Sequence, residues 1–66
     1  MNGYEDFKKD ILALTKIDLN SYKEKQMKRR IDTLISKNGI NSYKDYVALI
    51  KNNEQKFQQF VNFLTI

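Results

Sequence analysis

The chain has 66 residues, of which 41% are hydrophobic and 30% charged, and its formal net charge is +4. A chain of this length forms one small domain and buries too little surface to enclose a deep catalytic cleft. It contains no cysteine and no histidine, which excludes thiol and imidazole catalysis and the usual zinc ligands.

With no proline and only two glycines, the chain is predicted to be all-α, a small domain of four helices joined by short turns. The first helix is marked by apolar residues at spacings of three and four, namely Tyr4, Phe7, Ile11, Leu12 and Leu14. It should end near Thr15. A short connection over residues 16–20 then follows, from which Ile17 and Leu19 should fill the core.

The second helix is predicted to start at Ser21, because Glu24 follows this serine at the spacing of a capping box. Its apolar side consists of Met27, Ile31, Leu34 and Ile35. The helix should end at Asn38-Gly39, since glycine readily takes the left-handed conformation that closes many helices.

Two shorter segments predict the third and fourth helices. Ser42 should cap the third helix together with Asp45, and Asn52 or Asn53 should cap the fourth. Their apolar residues are Tyr46, Val47, Leu49 and Ile50 in the third helix, and Phe57, Phe60, Val61 and Leu64 in the fourth. Aromatic residues at such spacings are usually core residues, so Phe7, Phe57 and Phe60 are assigned to packing.

The excess of positive charge lies entirely in residues 23–30, because the other seven basic residues balance the other seven acidic residues. This segment contains one acid, Glu24, and the basic residues Lys23, Lys25, Lys28, Arg29 and Arg30. Such a local excess is typical of a surface that meets an acidic partner.

A helical wheel with about 100° per residue places Lys25 and Arg29 directly opposite the apolar side of the second helix. Lys28 falls on one flank, and Lys23 and Arg30 fall on the other. A merely solvated helix face is the simplest interpretation. However, Lys25 and Arg29 are like charges four residues apart, which is mildly destabilising and therefore suggests a use.

Two kinds of acidic partner fit such a face. The phosphates of a nucleic acid are commonly held by a helix rich in lysine and arginine, although no Asn or Gln stands beside an arginine in an arrangement that reads bases. An acidic protein surface, such as a glutamate-rich helix, is the other possibility, because the arginine fork binds carboxylates in a bidentate manner.

Several short matches occur in order along nearly the whole chain. They are Phe7 with Ile11, Ile17-Asp18-Leu19, Tyr22-Lys23, Arg30-Ile31, Gly39, Tyr43 with Tyr46, and Asn62-Phe63-Leu64-Thr65. In this order they resemble the N-terminal all-helical domain of CheR-type chemotaxis receptor methyltransferases. One departure concerns Lys16, since the family usually has glycine there, so the turn after the first helix lacks a residue that readily takes positive φ.

No run of the chain approaches the roughly 18 apolar residues of a membrane span, and the first fifteen residues form no signal core, which predicts a cytoplasmic protein without membrane insertion. The resemblance implies that residues 1–66 are the N-terminal receptor-recognition domain of a longer protein. Its Rossmann-like domain, which binds S-adenosylmethionine, is absent from this chain. The parent would transfer a methyl group from S-adenosylmethionine to glutamates of chemoreceptors, a step in signal transduction. The fragment alone should be neither catalytic nor cofactor-binding, because it has no strand followed by a glycine-rich turn.

The resemblance also implies how the fragment is used. The basic second helix would dock the acidic methylation helices of the receptor, and Arg30 matches a characteristic arginine of the family. The predicted receptor-binding residues are Lys23, Lys25, Lys28, Arg29 and Arg30. Phe63 and Ile66 would pack against the catalytic domain of the same protein or continue into its linker. A nucleic-acid-binding module is the alternative hypothesis.

Overall fold

A computed structural model of the protein describes residues 3–65. They form α1 (Tyr4–Thr15), a short 3₁₀ helix (Leu19–Ser21), α2 (Glu24–Lys37), α3 (Tyr43–Asn52) and α4 (Glu54–Thr65). The prediction of a small all-α domain with four helices and short turns is confirmed. No helix in this part of the chain has the length and apolar character needed to cross a membrane.

Aromatic rings from three helices form the centre of the core. Phe7 of α1 lies 4.9 Å from Tyr43 and 6.1 Å from Phe60, measured between ring centroids, and Tyr46 lies 5.6 Å from Phe60. The assignment of Phe7 and Phe60 to packing is confirmed, since they are 1% and 0% exposed. Phe57 is partly buried against the same cluster. Offset and edge-on aromatic pairs of this kind add to the stabilisation that burial provides.

The second helix covers this core with Met27, Ile31 and Ile35, all of which are buried as predicted. Leu12, which was assigned to the apolar side of α1, is instead 43% exposed. Leu12 lies one turn after Lys8 on the same edge of α1. No other element within residues 3–65 covers this edge at the last turn of α1.

The turn after α1 takes the left-handed conformation although it contains no glycine. Lys16 itself adopts the left-handed conformation, with φ 64° and ψ 13°, and its backbone N–H donates to the carbonyl of Leu12. The turn therefore keeps the conformation that glycine would favour, at a cost of about 1 kcal/mol for a residue with a Cβ atom.

The predicted capping box at Ser21 is wrong. Ser21 lies in the 3₁₀ helix, α2 begins at Glu24, and its N-cap residue is Lys23 with no side-chain hydrogen bond. The reason is a competing local structure, because the Asp18 carboxylate accepts a hydrogen bond from the backbone N–H of Asn20 and caps the 3₁₀ turn. The side chain of Glu24 does not cap the helix but accepts a hydrogen bond from the ammonium of Lys8.

The other helix boundaries are confirmed. The Ser42 hydroxyl accepts a hydrogen bond from the backbone N–H of Asp45 at 3.4 Å. Of the two candidates for the cap of α4, Asn53 is the one, because its side chain accepts from the N–H of Lys56 at 3.1 Å. Gly39 closes α2 with φ 74°.

Candidate docking site

The position of α2 is fixed by contacts with α4, along which it runs in the opposite direction. The Tyr22 hydroxyl, just before α2, donates to the carbonyl of Leu64 at 3.2 Å. At the other end, the Lys56 ammonium of α4 donates to the side-chain oxygen of Asn38 at 2.7 Å. These two contacts tie both ends of α2 to α4, and burial of Met27, Ile31 and Ile35 determines which side of α2 faces outward.

A buried lysine connects α1 with the first turn of α2. The side chain of Lys8 is 6% exposed, and its ammonium donates to Glu24 at 2.7 Å and to Asn20 at 2.8 Å and also pairs with Glu5 at 3.1 Å. The hydrogen bond from Lys8 lowers the pKa of Glu24, and the same bond raises the pKa of Lys8. The one acid within the basic segment is therefore compensated by a cation from another helix.

Sequence reasoning missed this role of Lys8, although a signal was present. On a helical wheel Lys8 falls between Tyr4 and Leu12, at the edge of the side of α1 that was predicted to be apolar. A charged residue at such a position needs a partner when it is buried.

One flank of α2 faces α1 and α3, and there Lys28 is paired. Its ammonium lies 3.0 Å from a carboxylate oxygen of Asp32, and the hydroxyl of Tyr43 donates to the other oxygen at 2.5 Å. The ammonium also lies 5.7 Å from the ring of Tyr4 and 5.9 Å from that of Tyr43. The bond to Asp32 raises the pKa of Lys28. The charge of Lys28 is thus compensated within the domain.

The opposite flank faces α4, and there Arg30 has an aromatic neighbour without an acid. The central carbon of its guanidinium lies 4.8 Å from the centroid of the Phe63 ring. No salt bridge formed within residues 3–65 includes Arg30. Its N–H donors are therefore available to a partner molecule.

The remaining predicted residues, Lys23, Lys25 and Arg29, are exposed. Lys25 and Arg29 line an open depression of about 710 Å³ on the outer side of α2, which the paired Lys28 and Asp32 also line and Lys37 borders. Lys37 was not among the predicted residues, although it continues the line of Arg29 two turns further along the helix.

A second depression, of about 850 Å³, lies between α2 and α4 beside the Phe63 ring. Its wall on α4 is rich in amide side chains, and the lining residues are Leu34, Glu54, Gln55, Gln58, Gln59, Asn62 and Phe63. The two depressions together offer mainly cations and amide groups, with one acid in each, Asp32 in the first and Glu54 in the second. Nowhere in the described range do three potential metal ligands come together.

Comparison with known proteins gives one family. The family model described as "CheR methyltransferase, all-alpha domain" matches residues 2–65. No solved structure was found that matches the chain.

Proposed function

Because the chain belongs to the family of CheR methyltransferase all-alpha domains, we propose that it docks the acidic methylation helices of a chemoreceptor through α2. The family implies the N-terminal domain of a chemotaxis methyltransferase. In this proposal the parent enzyme acts in the cytoplasm and methylates receptor glutamates with S-adenosylmethionine, and the 66-residue chain supplies recognition of the substrate.

The residues of this chain do not fit S-adenosylmethionine. No strand occurs within residues 3–65 to carry a glycine-rich turn, and the two glycines, Gly3 and Gly39, lie at helix ends. The cofactor and the catalytic groups are therefore assigned to the other domain of the parent protein.

One observation supports the docking proposal above all others. Both acids of α2 form salt bridges inside the domain: Glu24 with Lys8, which also pairs with Glu5, and Asp32 with Lys28. The outward charge of α2 is consequently positive, and it comes from Lys23, Lys25, Arg29, Arg30 and Lys37. Such a surface attracts an acidic partner and accelerates its association.

Each exposed cation contributes modestly, about 1 kcal/mol or less, because water and salt screen it. Binding should therefore depend on several cations together and weaken as salt is added. Arginine has an advantage over lysine where the partner presents carboxylates, since its planar fork donates two parallel hydrogen bonds.

We assign the contact with the catalytic domain to α4. The sequence placed this contact at Phe63 and Ile66. Ile66 lies outside the described residues, and Phe63 is partly buried, with Arg30 over its ring. The accessible part of α4 near its end is the wall that bears Gln58, Gln59 and Asn62, and we expect the catalytic domain to approach there.

A titration of the ¹⁵N-labelled domain tests the docking proposal. The ligands are a coiled-coil fragment of a receptor methylation region and a short DNA duplex, each at two salt concentrations. We expect amide shifts confined to residues 22–37 with the receptor fragment, and weak shifts with DNA that disappear at the higher salt. Equal saturation by DNA would instead support the nucleic-acid-binding alternative.

A pair of charge reversals provides the control. Lys25→Glu with Arg29→Glu should weaken binding of the receptor fragment by about ten-fold or more, in line with the loss of two attractive contacts and the gain of two repulsive ones. The matched variant, Lys44→Glu with Lys51→Glu, changes the net charge equally on exposed positions of α3. Equal weakening by the two pairs would show that only net charge matters and would contradict a docking site on α2.

A further inference from the structure

We infer that Phe63 is a positioning residue for Arg30, whose guanidinium it holds as a preformed fork for a carboxylate of the docked partner. The inference rests on the proposed function and deepens it, because it distinguishes one of the five predicted cations from the others. It concerns a contact between α2 and α4 that the linear sequence does not reveal.

The ring that supports Arg30 is itself held in place. Phe63 is partly buried against the hydrophobic core, and the next residue, Leu64, is 3% exposed. The carbonyl of Leu64 accepts the hydrogen bond from Tyr22. The last turn of α4 is thus anchored on its inner side by burial and at its end by a side chain from the segment before α2.

The guanidinium of Arg30 lies over the Phe63 ring, 4.8 Å from its centroid, and this position favours binding of a carboxylate. A guanidinium above an aromatic ring uses its flat face for the contact and keeps its N–H donors at the edge. Those donors match the two oxygens of a carboxylate. Because no acid within residues 3–65 pairs with Arg30, its N–H donors can bind a carboxylate of the partner.

The comparison with Arg29 shows what the ring adds. Arg29 is exposed on the outer side of α2, and no aromatic ring of the described chain lies beneath it. Its long side chain must lose rotational freedom when it binds, which opposes association. Arg30 has already lost part of that freedom, so the same carboxylate is bound with a smaller entropic penalty.

The surface around the guanidinium of Arg30 favours a partner whose acidic side chains protrude from a helix over a partner with a flat acidic surface. On one side, Tyr22, Gln26 and Met27 border a small hollow of about 110 Å³ that includes Arg30. On the other side lies the amide-rich depression that Phe63 borders. The Arg30 and Phe63 pair stands between two concave surfaces, so a protruding glutamate side chain can reach the fork while its helix lies along α2.

Three variants of the 66-residue chain test the inference with one defined probe, a synthetic coiled coil with glutamates at its exposed positions. Arg30→Lys keeps the charge and removes the fork, and we expect about ten-fold weaker binding. Phe63→Leu keeps an apolar side chain and removes the ring, and we expect roughly two- to five-fold weaker binding. Phe63→Tyr keeps the ring and should bind as the unaltered chain does.

The double variant separates positioning from a general effect on the fold. If Phe63 acts through the fork, Phe63→Leu should cause little further loss in a chain that already carries Arg30→Lys. An equal loss in both backgrounds would overturn the inference, because Phe63 would then act through the fold. The side-chain Nε–H signal of Arg30 gives a second readout, which should broaden or shift with Phe63→Leu in the free protein.

The outcomes also separate this inference from the proposed function. If the Lys25 and Arg29 reversals weaken binding of the glutamate probe while Phe63→Leu does not, the docking site stands and the positioning role is wrong. If neither change weakens binding, both are wrong. A coiled coil with glutamines in place of the glutamates should bind all variants equally weakly.

Discussion

Each flank of α2 carries a cation, but only one of the two cations is paired with an acid of the domain. On the flank toward α1 and α3, Lys28 is paired with Asp32, which also accepts the hydroxyl of Tyr43. On the flank toward α4, Arg30 lies over the ring of Phe63 and has no acid beside it. Charge on a helix therefore does not by itself indicate a binding surface. What distinguishes the two flanks is whether the fold already supplies the opposite charge.

Alkaline pH should have the largest effect on stability, through Tyr43 on the flank with Lys28 and Asp32 and through Tyr46 in the core. Burial raises the pKa of Tyr46 to about 12, and burial together with the hydrogen bond to Asp32 raises that of Tyr43 to about 12. In the unfolded chain both tyrosines ionise near pH 10, so stability is constant below that value and falls as the pH rises from 10 to 12. The raised pKa of Lys28 acts in the same direction. We expect a loss of about 2–3 kcal/mol per tyrosine.

Urea unfolding followed by circular dichroism between pH 9 and pH 12 measures this loss. Tyr46→Phe is the matched control, since the hydroxyl of Tyr46 has no hydrogen-bond partner within residues 3–65. This variant should retain its stability at neutral pH and lose the part of the dependence above pH 10 that comes from Tyr46. Identical curves for the variant and the unaltered chain would contradict the assignment to buried tyrosines.

Removal of the acid from the paired flank should have the next largest effect. Asp32→Ala deletes the partner of Lys28 and the acceptor of Tyr43, and we expect the free energy of unfolding to fall by about 2 kcal/mol. Asp32→Asn keeps an acceptor for the tyrosine and should lose about half as much. Thermal unfolding of the three proteins gives the comparison, and an Asp32→Ala variant of unchanged stability would mean that this flank is not structural.

A substitution at Lys16 should raise the stability of the domain without altering either flank of α2. Lys16→Gly relieves the positive φ of 64°, and we expect a gain of about 1 kcal/mol. Lys16→Ala removes the same charge but keeps a Cβ atom, so it should give no such gain. Urea denaturation measures the difference, and equal stability of the two variants would show that backbone strain at this position is negligible.

The smallest effect on stability should come from the flank of α2 that faces α4. Arg30→Ala removes one exposed contact with Phe63, and we expect a loss of about 0.5–1 kcal/mol in the free energy of unfolding. Arg29→Ala serves as the control and should lose less, because Arg29 lies over no ring of the described chain. A loss at Arg30 as large as that expected at Asp32 would remove the distinction between the two flanks.

Most of the fold followed from local signals. The four helices were marked by apolar spacing, and their ends by residues that act on their own neighbours, such as Ser42, Asn53 and Gly39. The start of α2 was predicted wrongly because two local structures competed for the same residues. Ser21 offered a capping box, yet Asp18 formed a 3₁₀ turn that includes it.

The candidate site was predictable only as far as one helix determines it. A helical wheel places the five basic residues, and the pairing of Lys28 with Asp32 follows from a spacing of four. The contacts of Lys8 with Glu24 and of Arg30 with Phe63 join different helices. They depend on how the helices pack, which no single segment encodes, and the use of the five residues in docking stays a prediction.

The hydrogen bond between Tyr22 and the carbonyl of Leu64 has a consequence for how the domain opens. The last carbonyls of a helix lack partners within the helix, and helix ends fray unless something binds them. Here the stabilising hydroxyl belongs to the segment just before α2, so fraying of α4 releases the entrance to α2 as well. The amide hydrogens in the last turn of α4 and those of α2 that donate to carbonyls of its first turn, beginning with Met27, should therefore exchange with solvent as one cooperative unit.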